Sequence, residues 1–310
     1  MSTEPGRSCP LAYRYSAAVF DRTPDLQADT LYVVGGLYGN LNALERIEAL
    51  FAAETGNKRM VFNGDFHWFD TDPALFAEVN ARVHRHTPLR GNVETELASD
   101  DPGAGCGCAY PSHVGDADVA RSNAILNTLR DTARCHPADR AALAGLPMHA
   151  VARVGALRVG IVHGDAESLA GWRFDPALLD SPANQPWLDH VLAQARVDVF
   201  ASSHTCAPAL HTRPAGGTIV NNGAAGLGSL PGSSSGLITR ISVHPAPAGV
   251  PVLRETVVQG IHIQAVRIDL DNAAWQRRFL AMWPAGSDAH TSYWRRVVHG
   301  LGTATESHTI

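Results

Sequence analysis

Four residues whose side chains can bind a metal ion follow predicted strands at widely separated points of the chain. They are Asp65, Asn92, His163 and His204. In α/β sheets the loops at strand ends meet at one edge, and ligands bind there. Taken alone, each residue has a simpler interpretation as a turn residue, a helix cap or a hydrogen-bonded histidine. Taken together, in separate loops, they favour one shared site.

The segments around these residues have the pattern of an α/β protein. Residues 31–34 form an apolar run that enters a Gly-Gly turn, and apolar residues then recur at helical spacing between residues 41 and 51. A second strand, turn and helix unit follows over residues 59–83. Alternating units of this kind predict strands that alternate with helices, and so an α/β fold.

The expected domain organisation has three parts. Residues 1–28 lack a periodic pattern and are expected to form an irregular leader on the surface. Residues 29–250 carry the strand and helix units and are expected to form the main domain. Residues 251–310 contain one strand-like and two helix-like segments. We expect this C-terminal extension to pack on the main domain without chemistry of its own.

The composition of the 310-residue chain is that of an ordinary globular protein, with 45% hydrophobic residues, 18% charged residues and a formal net charge of -5. No run of like charges indicates a nucleic-acid surface or an electrostatic membrane anchor. No apolar stretch has the length of a signal peptide core or a membrane span. Five scattered cysteines do not resemble a disulfide framework. We therefore expect a cytoplasmic protein with reduced thiols.

Five short motifs occur in order along the chain. They are Gly36-Leu37-Tyr38-Gly39-Asn40, Gly64-Asp65, Gly91-Asn92-Val93-Glu94, His163-Gly164 and Ser203-His204-Thr205-Cys206. In their order and their place at strand ends, they resemble the motifs of the calcineurin-like metallophosphoesterase superfamily. The resemblance covers roughly residues 30–245. It implies a four-layer α/β/β/α sandwich of two mixed sheets, with the site at the strand ends.

In that superfamily two divalent ions share a bridging aspartate and hold a hydroxide in line with the phosphorus of a phosphoester. The resemblance implies that the second ion is bound by Asp65, Asn92, His163 and His204. The positions of the other first-ion ligands hold Gly36, Tyr38 and Cys206. Every ligand exclusive to the first ion is therefore replaced. We expect one divalent ion per chain, such as Mn, Fe or Zn.

The resemblance implies a metal-dependent hydrolase that uses a metal-activated hydroxide on a phosphodiester or phosphomonoester. Its partner would be a small phosphorylated substrate. Val93 stands where the superfamily has a catalytic histidine, and the first-ion ligands are missing. These losses favour an alternative, a catalytically impaired protein of the same fold that binds metal or a phosphorylated ligand.

A further hypothesis concerns one tyrosine and three cysteines, Tyr38, Cys106, Cys108 and Cys206. Cys206 stands at the last ligand position, and the Cys-x-Cys pair lies in a glycine-rich loop after Asn92. Thiolates select soft ions, so the first site could have been rebuilt with other ligands. A reactive thiol pair is a second use for this loop. Ordinary packing remains the simpler interpretation.

Overall fold

A computed structural model describes residues 4–302 of the chain. Within this range the strands are β1 (Leu26–Ala28), β2 (Thr30–Val34), β3 (Lys58–Asn63), β4 (Thr87–Leu89), β5 (His149–Val154), β6 (Leu157–Val162), β7 (Val199–Ser202), β8 (Ala209–Thr212), β9 (Thr218–Asn221), β10 (Gly236–Ser242), β11 (Val252–Val258) and β12 (Ile261–Ile268). The helices are α1 (Leu41–Ala53), α2 (Pro73–Val83), α3 (Asn92–Ala98), α4 (Asp116–Arg134), α5 (Pro137–Ala144), α6 (Pro176–Leu179), α7 (Gln185–Ala195), α8 (Asn272–Met282) and α9 (Asp288–His299).

The strands form two mixed sheets of six strands each. Sheet A has the order β1-β5-β6-β7-β9-β8, and sheet B has the order β11-β12-β10-β2-β3-β4. In sheet B the pairs β2/β3 and β3/β4 are parallel, whereas β10 pairs antiparallel with β2 and β12. In sheet A the pairs β6/β7 and β7/β9 are parallel. The loops after β3, β4, β6 and β7 are the ones that the sequence predicts to carry the site.

Alternation along the strands builds the layers. On β2, Leu31 and Val33 join a buried cluster between the two sheets, whereas Tyr32 and Val34 join a cluster between sheet B and its helices. A third buried cluster, which includes Phe200, lies between sheet A and α7. Successive strand side chains point to opposite faces, so each buried strand contributes to two interfaces. The result is the predicted four-layer α/β/β/α sandwich, and this prediction is confirmed.

The first helix begins as the sequence predicts. The Asn40 side chain accepts a hydrogen bond from the backbone N–H of Ala43, which satisfies a donor that the first turn leaves unpaired. Leu44, Ile47 and Leu50 then recur on the buried face. This cap and this stripe direct α1 against sheet B.

The two ends of the chain are part of the layered structure. Strand β1, within the segment predicted to be irregular, pairs in parallel with β5. Strand β12, which follows residue 250, lies between β10 and β11 in sheet B. The domain boundaries stay predictions, but hydrogen bonding within sheet B continues across residue 250. Within residues 4–302 no helix is long and apolar enough to cross a membrane.

Candidate functional site

The four residues singled out in the sequence meet at one edge of the sandwich. Asp65 follows β3, Asn92 begins α3 just after β4, His163 follows β6 and His204 follows β7. Because β6 and β7 run parallel, as do β3 and β4, their carboxyl ends deliver these loops to a common edge. The two sheets contribute two residues each.

The nitrogen Nε2 of His163 lies at the centre of the group. It is 3.0 Å from Asn92 Oδ1, 3.0 Å from His204 Nδ1 and 3.3 Å from Asp65 Oδ2. One ligand atom each of Asp65, His163 and His204 lies within 4.8 Å of the other two. Among the described residues, this is the only group of three or more His, Cys, Asp or Glu side chains with metal-binding geometry. The predicted convergence of the four side chains is therefore present.

Backbone carbonyls fix which ring nitrogen of each histidine faces the group. His163 Nδ1 lies 3.0 Å from the carbonyl of Asn63, and His204 Nε2 lies 3.0 Å from the carbonyl of Cys108. A carbonyl only accepts, so these two nitrogens carry the hydrogens and donate them. In the neutral rings the opposite nitrogens then present lone pairs to the group. Histidines that bind metals are commonly oriented in this way.

A backbone carbonyl also orients the side-chain amide of Asn92. Its Nδ2 donates to the carbonyl of Cys106 at 2.9 Å, so Oδ1 points toward the group. The group thus presents lone pairs from a carboxylate, an amide and two imidazoles at hydrogen-bond distance from one another. Only a proton or a bound cation can satisfy them together. This donor set fits a divalent transition ion.

Burial and the neighbouring charges together shift the pKa values of the two histidines in opposite directions. Burial by itself lowers the pKa of His163, but the Asp65 carboxylate outweighs burial and raises that pKa. Burial, and then the charge of His163, lower the pKa of His204 to about 3. His204 is consequently neutral at physiological pH, the form that ligates metals.

Unusual backbone conformations concentrate at this edge. Tyr38, Asp65 and Cys206 have φ values of 56°, 52° and 55°, in the left-handed region that non-glycine residues rarely adopt. Such strain persists only where surrounding bonds impose it, and it is typical of functional sites. For Asp65 the bond is identifiable, because its backbone N–H donates to the Glu94 carboxylate at 2.8 Å.

Glu94 points into the protein and accepts hydrogen bonds from the backbone of the site. Its carboxylate is fully buried and accepts backbone N–H bonds from Asp65 and Gly91 at 2.8 Å and from His67 at 3.2 Å. It thereby joins the loop after β3 to the start of α3. The sequence shows an acidic residue two positions after Asn92 but does not show that it points inward.

The positions that the resemblance assigns to the first ion, Gly36, Tyr38 and Cys206, present no comparable set of donors. An added Cβ at Gly36, whose φ is 64°, would lie 3.1 Å from the Tyr38 ring and 3.1 Å from Ala224. The Tyr38 hydroxyl and Cys206 Sγ are hydrogen-bonded to each other at 2.8 Å. Burial raises the pKa of both groups, so both are protonated at neutral pH. This space is filled by packing and by one mutual hydrogen bond.

The Cys-x-Cys loop lies close to the site and is not exposed. Cys106 and Cys108 are both buried, and the sulfur of Cys108 lies 3.6 Å from Asn92 Nδ2. Burial, together with the neighbouring Cys106 thiol, raises the pKa of Cys108 well above its usual value. Both thiols and Cys206 are free. The geometry gives these cysteines carbonyl contacts to the site, and their role as ligands stays a hypothesis.

A cavity of about 220 Å³ opens above the group. Asp65, Asn92 and His204 line it together with aromatic side chains and one arginine, Arg296. Tyr293 and Arg296 come from α9, near the far end of the chain. Neither residue is singled out by the sequence, because no local pattern distinguishes it from other residues on an amphipathic helix.

The fold is similar to those of two solved proteins. A hypothetical protein of Pyrococcus horikoshii OT3 matches with a TM-score of 0.56 and 16% identity, over 88% of this chain and 99% of that chain. A metallophosphoesterase of Sphaerobacter thermophilus matches with a TM-score of 0.52 and 14% identity, over 88% of this chain and 100% of that chain. At such identities the likeness shows the fold alone, which is a metallophosphoesterase fold. No family model matches the chain, and the comparison with curated proteins finds no match.

Proposed function

We propose that the protein is a hydrolase of phosphoesters that depends on one divalent metal ion. The observation that carries the proposal is the group of lone-pair donors around His163 Nε2, at the floor of a cavity. The metallophosphoesterase fold of a solved neighbour supports the same conclusion.

The proposed function assigns metal binding and substrate binding to different residues of the chain. Asp65, Asn92, His163 and His204 would hold the ion, with ring and amide orientations set by the backbone carbonyls. A bound divalent ion supplies Lewis-acid polarisation of a phosphoryl oxygen and a water nucleophile at neutral pH. The cavity beside the group would receive the substrate.

The first test is the metal content of the purified protein after chelation and reloading with Mn²⁺, Fe²⁺ or Zn²⁺. We expect close to one ion per chain. His163→Ala removes the central ligand, so metal affinity should fall by more than about 100-fold while the far-UV circular dichroism spectrum stays unchanged. His86→Ala is the matched control, because this half-buried histidine packs on Phe51 and Phe62 and touches no ligand.

The second test is hydrolysis of monoester and diester phosphates by the loaded protein. Metal-dependent turnover that His163→Ala abolishes would support the hydrolase. One tightly bound ion without turnover would instead support the metal-binding alternative. A reloaded protein that binds no ion would contradict both.

A further inference from the structure

Arg296 brings a fixed positive charge to the cavity. The residue is only 6% exposed, and its Nε and Nη2 donate to the carbonyls of Gly228 and Cys206, each at 2.8 Å. Neither acceptor carries a formal charge, so these bonds orient the guanidinium without neutralising it. A buried guanidinium that lines a cavity is suited to an anion with several acceptor oxygens.

The Arg296 guanidinium lies next to Cys206 and Tyr38. Cys206, whose carbonyl accepts from Arg296, occupies the last position of the replaced first-ion set and bonds to Tyr38 through its sulfur. A cation therefore lies beside the space that Tyr38 and Cys206 fill. In a site that phosphate enters, Arg296 would supply positive charge there from the protein itself.

Two pairs of aromatic side chains form part of the cavity wall. Trp68 and Tyr293 form an edge-on pair with ring centroids 6.4 Å apart, and Tyr110 and Trp172 form a tilted pair at 5.9 Å. All four line the cavity, whose volume of about 220 Å³ is below the roughly 300–1,000 Å³ typical of larger ligand sites. Such walls favour one small planar apolar group.

Val93 limits which leaving groups the cavity can assist. It lines the cavity directly beside Asn92 and has no proton to give to a departing oxygen. A leaving alcohol of low pKa needs less assistance from a general acid than an alkyl alcohol does. Phenols have such a pKa, close to the value of about 10 for a tyrosine side chain.

We propose that the cavity takes a phosphate monoester of a small aromatic alcohol, with its phosphoryl oxygens on Arg296 and its ring against the aromatic wall. The proposal rests on the proposed function. Water adds to phosphorus as the bond from phosphorus to the aryl oxygen breaks, and the electron pair leaves on that oxygen. The phenolate takes up the proton that the water loses, which gives phenol and phosphate.

Binding can be tested apart from turnover with phenylphosphonate, in which a carbon replaces the scissile oxygen. Isothermal titration would compare phenylphosphonate with methylphosphonate, which lacks the ring, on metal-loaded protein. Arg296→Gln should weaken both ligands by about 10- to 100-fold, since it removes charge-assisted hydrogen bonds. Arg296→Lys keeps the charge and should lose less. Arg277→Gln, an exposed arginine on α8, is the control for net charge.

The ring contact requires its own variant. Tyr293→Leu should weaken phenylphosphonate by about tenfold and leave methylphosphonate unchanged, because only the first presents a ring to the wall. Trp294→Leu is the matched control on the same helix, since this residue stacks on Phe279 and does not line the cavity. Circular dichroism would establish that each variant is folded.

The outcomes separate this inference from the proposed function. Metal-dependent hydrolysis with equal affinity for the two phosphonates, or with no loss in folded Arg296→Gln and Arg296→Lys, would overturn the inference and leave the function standing. Phenylphosphonate binding that depends on Arg296 in a protein without turnover would support the binding site and contradict the hydrolase. Failure of both measurements would contradict both.

Discussion

Replacement of Glu94 by glutamine tests whether the buried carboxylate positions the loop that carries Asp65. Glu94 accepts three backbone N–H groups, and one of them belongs to Asp65, which it holds at a φ of 52°. Glutamine has nearly the same shape. Its amide oxygen can accept the two bonds that now go to Oε2, but its NH₂ group would face the N–H of His67, which also donates.

The magnitude follows from these bonds. Hydrogen bonds to charged groups contribute about 1.5–3 kcal/mol each, and an unsatisfied buried donor costs about 1–3 kcal/mol. Burial, and then the charge of Asp65, raise the pKa of Glu94, so the carboxylate itself is held at some cost. We therefore expect the free energy of unfolding to fall by about 2 kcal/mol. The metal dissociation constant should rise by about 10- to 100-fold, because Asp65 loses its support.

Denaturant unfolding and metal titration would measure the two effects on one protein. Glu96→Gln is the matched control, since Glu96 is buried on the same helix but binds Arg130 and Tyr13 and not the ligand loop. It should lower stability without changing metal affinity. If Glu94→Gln bound metal as tightly as the unaltered protein, the positioning role would be wrong. The same conclusion would follow if the two variants weakened metal binding equally.

Three further predictions concern Gly36, the Cys-x-Cys loop and the buried Glu54–Arg240 pair. Gly36→Asp should lower the free energy of unfolding by about 1–3 kcal/mol without adding a second ion, because its φ is 64° and its surroundings are filled; a metal titration that reached two ions would contradict this. Cys106→Ser with Cys108→Ser should leave the number of bound ions unchanged by elemental analysis, since neither thiol belongs to the ligand group, and a lower number would revive the rebuilt site. Burial alone would raise the pKa of Glu54, but the Arg240 guanidinium outweighs it and lowers that pKa. The stability from this pair is therefore complete above the unfolded pKa of about 4.3 and is lost as pH falls through the folded value. Glu54→Gln should lower the free energy of unfolding by about 3 kcal/mol at pH 7. In denaturant unfolding at a series of pH values, the variant should also lose less stability than the unaltered protein as the pH falls. If both proteins lost the same amount of stability on acidification, the assignment to Glu54 would be wrong.

The buried positions and the loop residues of the site could be predicted from the sequence because their signals are local. An apolar run of four residues that ends in a glycine turn predicts a buried strand, and the alternation of such runs with helical segments predicts an α/β fold. The four layers were implied only by the resemblance of the motifs to those of a known superfamily. Asp65, Asn92, His163 and His204 each stand next to a strand end in the sequence, and parallel strands bring such ends together. Their meeting point therefore follows from local pattern and sheet geometry, while their role as ligands stays a prediction.

Other features of the site and the fold depend on contacts between segments that are distant in the sequence, and only the tertiary structure shows them. The inward direction of Glu94 depends on the loop after β3, which no helical periodicity encodes. Arg296 bonds to Cys206 across 90 residues of chain, and β12 lies between β10 and β11 through hydrogen bonds that any extended segment can make. Local sequence sets the conformation of a segment and which face it buries. The partner that covers this face, and the charge that this partner carries into the cavity, are chosen by packing of the whole chain.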